Sequence, residues 1–190
     1  MPGLAEIARA LYGAYRLARF DPRGLQFFDA SLDGFWKSFF AAVLVAPFYA
    51  VLQLERFYGE SAEPAAFRYL SIQITAYVIA WVVYPLLMVS VAKALDRERN
   101  YLGYIVAYNW ASVLQNGLFI PLILLIETGV IPIDAGVFVG LMAQAAILTY
   151  SWFIAKHGLN IQGPMAAGLV ALDFALGIVV NGFATSLSTA

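Results

Sequence analysis

One carboxyl group lies deep in the last apolar run of this chain: Asp173, in GLVALDFALGIVV. About ten residues of helix separate it from the start of that run, roughly 15 Å at helical rise. That is close to the middle of a hydrocarbon layer about 30 Å thick. No lysine or arginine sits at comparable depth in another apolar run. A carboxyl there must be protonated or held by hydrogen bonds, because an unpartnered charge at that depth is costly. Counted inward from the same side, Tyr84, Asn109, Ser112 and Gln144 fall at the same level, roughly 12–18 Å in. Asn109, Ser112 and Asn116 also share one helical face, at i, i+3 and i+7. A second polar level, toward the other side, gathers Gln73, Asn116 and Asn181. Two chemistries fit this set. Hydrogen bonds between helices would fix the packing, at roughly 0.6 kcal/mol each. Alternatively, Asp173 lines a site for a proton or a small solute.

The rest of the sequence is poor in reactive groups. It has no cysteine, which excludes disulfides, thiolate metal sites and cysteine nucleophiles. Its one histidine, His157, cannot build a metal site of the usual kind. It follows Lys156 at the end of an apolar run, an interfacial position. Glu127 and Asp134 bracket a short loop with Pro132 and read as solvated loop ends. Asp29, Ser31 and Asp33 precede Trp36 as candidate helix caps. With no Ser–His pair, acidic cluster with histidine or phosphate loop, the expectation is a non-enzyme without cofactor or metal. A formal net charge of −1 gives no nucleic-acid partner.

The elements that would position Asp173 are legible in the composition. Of 190 residues, 62% are hydrophobic and only 12% charged, about half the charged share of soluble domains. The apolar residues fall in long runs separated by short charged segments. The predicted fold is all-α, a polytopic membrane protein with a bundle of five transmembrane helices, near 36–54, 69–95, 101–126, 135–155 and 164–187. Pro47, Pro85 and Pro121 lie inside three of them, where neighbouring groups must satisfy the freed carbonyls. Gly163, Ala167, Gly168, Ala171, Ala175 and Gly177 predict that the last span is an inner helix with close neighbours. Gly136 and Gly140 form a GxxxG pair in the fourth.

Residues 1–35 form a separate cytoplasmic segment ahead of the transmembrane domain at 36–187, and they are too polar for a signal-peptide core. Residues 3–20 predict an amphipathic interfacial helix. Leu4, Ile7, Ala8, Leu11, Tyr15 and Ala18 lie on one face, with Glu6, Arg9, Gly13 and Arg16 opposite. Arg9, Arg16, Arg19 and Arg23 would favour the anionic lipids of a cytoplasmic leaflet, each by roughly 1 kcal/mol. After the Asp21–Gly24 break, residues 25–35 read as a second short interfacial segment anchored by Phe27, Phe28 and Phe35. Nine of the 11 basic residues fall on the N-terminal side, leaving Arg56 and Arg68 on the other. That bias predicts a cytoplasmic N-terminus and, with five spans, a C-terminus outside, as in a bacterial inner membrane. Trp36, Tyr58, Tyr69, Tyr101, Tyr104 and Trp152 sit near span ends as an interfacial belt.

The arrangement resembles the bacterial branch of the Yip (Ypt-interacting protein) membrane family. The likeness lies in an early span with an internal proline, FFAAVLVAPF at 39–48, and a charged turn, DRERN at 96–100. An aromatic-rich third span follows, YLGYIVAYNWASVL at 101–114, with Tyr108 in AYNW. The turn carries no glycine. The resemblance implies a non-enzymatic, polytopic membrane protein; the amphipathic N-terminus and the small-residue faces add membrane lipids, other membrane proteins or a second copy as expected partners. Two functions follow as expectations: a membrane scaffold or accessory protein, or a small-solute or proton-coupled transporter or channel using Asp173.

Overall fold

The structure, a computed structural model, describes residues 1–59 and 66–189. Its elements in chain order are α1 (Leu4–Ala18), a 3-10 turn (Pro22–Phe27), α2 (Leu32–Ser38), α3 (Phe40–Gly59), α4 (Ala66–Ala94), α5 (Glu98–Glu127), α6 (Ile133–Gly158) and α7 (Gly163–Thr189). No strand occurs among the described residues. Five helical stretches are long and apolar enough to cross a membrane: Leu32–Tyr58 (α2 with α3), α4, α5, α6 and Gly163–Ser188. The first starts at Leu32, earlier than hydropathy alone places it, because Ser31 caps α2. Its hydroxyl accepts the Gly34 N–H at 3.0 Å.

α5 is the central helix. It packs against α1, α2, α3, α4 and α6, while α7 sits across from it and packs on α4 and α6. Residues 104–107 and 109–112 of α5 are buried with little break, as expected of a helix covered all round. The last span, expected to be an inner helix, is instead peripheral. Ala167, Gly168, Ala171 and Ala175 of α7 are exposed. Small side chains permit close approach but do not say which helix approaches. Of the GxxxG pair, Gly136 lies under Ile126, where a Cβ would meet Cγ1 at 2.9 Å; Gly140 has nothing within 4 Å.

The first 35 residues share one core with the spans. Ala10, Ala14, Leu17 and Phe28 pack in the same cluster as Ile105, Tyr150 and Ile154. The Tyr150 hydroxyl donates to the Ala14 carbonyl at 2.7 Å, joining α6 to α1 across 136 residues. The docked stripe of α1 is Ala10, Gly13, Ala14 and Leu17. It lies about a third of a turn from the stripe expected from hydropathy. Gly13, assigned to the polar face, is therefore buried. A Cβ there would meet the Phe27 Cβ at 2.9 Å, and one on Gly24 would meet the Gly13 carbonyl at 2.6 Å. These two glycines let the chain fold back on α1 at backbone contact.

Three helix ends on the α1 face close alike. Phe20, Asp96 and Asn160 take left-handed backbone, with φ of 57°, 55° and 52°. The following N–H groups reach back, Asp21 to Arg16, Arg97 to Ala92 and Ile161 to Lys156. Aspartate and asparagine accept this conformation readily. Phe20 adopts it with its ring set edge-on against Phe153, centroids 5.3 Å apart.

Candidate functional site

Asp173, Tyr108 and Tyr84 each lie ten residues in from the end of their helix on the α1 face, roughly 15 Å deep. The Tyr108 hydroxyl donates to Asp173 Oδ1 at 2.9 Å. The rings of Tyr108 and Tyr84 are 4.7 Å apart between centroids. The Tyr84 and Tyr104 hydroxyls are hydrogen-bonded at 2.6 Å. Tyr84 and Tyr104 are buried, while Tyr108 and Asp173 are half-buried. The half-exposure of Asp173 has a structural cause. α7 meets α4 and α6 and stands off from α5, leaving a cavity of about 540 Å³ between α4, α5 and α7. Asp173, Tyr84, Tyr108 and Asn181 all line it.

The level predicted from depth is therefore only partly gathered. Tyr84 joins Asp173 at the cavity. Asn109 does not: it is fully buried on another side of α5, where its amide donates to Ser38 Oγ at 2.8 Å. Its Oδ1 has no partner among the described residues. Ser112 donates to the Tyr108 carbonyl of its own helix at 3.0 Å. Gln144 is half-buried on α6, and no hydrogen bond ties it to Asp173. The hydrogen-bond partner that depth counting passed over is Tyr108. Equal depth places residues on a level, whereas helix rotation decides which of them face one another. The four-residue spacing of Tyr104, Tyr108 and Ser112 on one face of α5 was the available signal.

The second polar level does come together. Gln73, Asn116 and Asn181 line a larger cavity, about 820 Å³, between α3, α4, α5 and α7 toward the face opposite α1. Tyr49 donates to Gln73 Oε1 at 3.2 Å, and Tyr69 donates to Gln53 Oε1 at 2.9 Å. Glu55 and an Arg56–Glu127 ion pair, 2.8 Å apart, also border it. Asn181 belongs to the walls of both cavities. Its amide donates to the Gly177 carbonyl at 2.9 Å.

The basic residues near the N-terminus are placed differently from one another. Arg9, Arg19 and Arg23 are exposed. Arg16 is half-buried in an ion pair with Asp21, and its guanidinium lies 5.5 Å from the Phe27 ring centroid. Lys37 bridges Glu6 at 2.9 Å and Asp33 at 2.8 Å, latching α1 to α2. The Lys37 ammonium, with the Gly3 N–H, holds the Glu6 carboxyl below its ordinary range. Arg16, with the Arg23 N–H, does the same for Asp21. His157 packs against Phe153, ring centroids 4.3 Å apart. Among the described residues no group of three or more histidine, cysteine, aspartate or glutamate side chains could hold a metal ion. No protein-family model, curated protein or solved structure matches this chain.

Proposed function

We propose that this chain is an integral membrane scaffold or accessory protein, which acts by associating with other membrane components. The observation that carries this reading is the outward face of α7. Ala167, Ala171 and Ala175 recur at four-residue spacing there, and all three are exposed. Small residues at that spacing let a second transmembrane helix approach closely. The resemblance to the Yip family agrees with a non-enzymatic role. The reading places the chain in a bacterial inner membrane, with α1 and the basic loops at the cytoplasmic side. On that side α1 lies in the interface. Leu4, Tyr12, Tyr15 and Phe20 are exposed beside Arg9, Arg19 and Arg23, so an anionic leaflet is its ligand.

The test uses the absence of native cysteine. A photoactivatable maleimide crosslinker on Ala171→Cys should capture a discrete second chain, or another copy, in native membranes. The same reagent on Val89→Cys, an exposed site on α4, should not. Equal, diffuse or absent capture from both positions overturns the reading.

A second reading rests on the cavity at Asp173. An acidic side chain at mid-depth that borders open volume fits a small-solute or proton-coupled transporter or channel.

A further inference from the structure

We propose that the Asp173 cavity binds a small organic ammonium ion, which enters from the face opposite α1. This rests on the second reading above and names its ligand.

Among the described residues the cavity has one carboxyl group and no lysine or arginine in its walls. The basic residue bordering the adjoining cavity, Arg56, is paired with Glu127. The cation that would balance Asp173 has to come from outside the chain. One Asp173 oxygen accepts the Tyr108 hydroxyl, and among the described residues none donates to Oδ2. The Tyr84 and Tyr108 rings border the same space, and the face of a tyrosine ring attracts a cation. Val83, Phe174 and Ile178 supply apolar wall for hydrocarbon substituents. The volume, about 540 Å³, is within the usual range of small-molecule sites.

A bare metal ion is a poorer fit. Calcium takes six or more oxygen ligands, and magnesium demands near-ideal octahedral geometry. Among the described residues the wall offers one carboxylate, the amide oxygen of Asn181 and two tyrosine hydroxyls as side-chain acceptors. An ammonium needs fewer contacts: the carboxylate, a ring face and the Asn181 oxygen. Asn181 lies at the junction with the larger cavity, whose border carries Glu55 and Glu127 against Arg56. Its excess of negative charge favours entry of a cation. At roughly 15 Å from the helix ends, the site lies below the level of lipid head groups, so the ammonium belongs to a water-soluble molecule.

The test titrates the full chain, purified in mild non-ionic detergent, with tetramethylammonium or benzylammonium chloride, followed by calorimetry. Sodium chloride at equal ionic strength is the reference. Saturable binding of the ammonium probes is expected, absent for sodium, and weakened about tenfold or more in Asp173→Asn. Gly177→Leu should block it by filling the space beside Asp173 while keeping the carboxyl itself. Gly177 lines the cavity, and nothing lies within 4 Å of where its Cβ would sit. Asp134→Asn, at the exposed start of α6, should leave binding unchanged. No saturable binding, or binding indifferent to both cavity variants, overturns the proposal. Competition by phosphatidylethanolamine in nanodiscs would move the ligand to a lipid head group and overturn the solute assignment. Labelling of Asp173→Cys by a water-soluble thiol reagent separates the two levels. Labelling without ammonium binding removes the ligand class and keeps the solute reading. Absence of labelling removes both.

Discussion

The buried amide of Asn109 holds Ser38 with its nitrogen and leaves its oxygen without a partner. Ser38 in turn donates to the Phe35 carbonyl at 2.7 Å. These two residues are not equivalent under substitution. Ser38→Ala strands the Asn109 amide as well as its oxygen, and should cost about 1–2 kcal/mol. Asn109→Leu removes the orphaned oxygen, keeps the Ser38–Phe35 bond and fills a similar volume. It should stay within about 1 kcal/mol of the native protein. Denaturant midpoints in detergent measure both, and the reverse order would refute this account. At this scale the sequence was a partial guide. It marked Asp173 and Asn109 as buried polar groups that need partners. It did not reveal that one meets Tyr108 and the other Ser38, because depth along a helix says nothing of its rotation.

The α1 segment is held by apolar packing and by the Lys37–Glu6 ion pair, while Arg16–Asp21 braces the turn after α1. The Glu6 and Asp21 carboxyls lie below their ordinary values of 4.5 and 3.8. Their contribution to docking is therefore complete above those values and is lost as pH falls through the lowered ones. Pulsed hydrogen exchange should show a small drop in the protection of α1 amides below pH 3.8 while α5 amides keep theirs. Loss in both helices at the same pH would refute a local latch. The effect is modest, since the pairs are solvated. Among the elements, the long apolar helices were readable because about 20 apolar residues leave little alternative. The docked stripe of α1 was not. Gly13 and Ala14 carry too little hydropathy to mark a face, and it is their smallness that places them there.

The whole molecule is a bundle around its third long helix, with nine of 11 basic residues toward the end that carries α1. Cysteines placed at Arg97 and at Ser188 should react from opposite sides of sealed vesicles with an impermeant thiol reagent. Labelling of both from one side would refute the proposed orientation. The number of spans was legible from hydropathy, and the charge bias could be counted. Which helix is central was not, because α5 and α7 are both apolar and only packing separates them. The seat of α1 also bears on how the chain is made. α1 rests on α5 and α6, and Tyr150 closes onto Ala14. Ribosomes add about 5–20 residues per second, so α1 emerges on the order of ten seconds before its receptor exists. During that interval α1 has only the 3-10 turn packed on it, and the Ala14 carbonyl lacks its Tyr150 donor. The seat of the N-terminus is completed only after the helix carrying Tyr150 has been synthesised, which makes the closed Tyr150–Ala14 bond a record that biosynthesis has passed the fourth long helix.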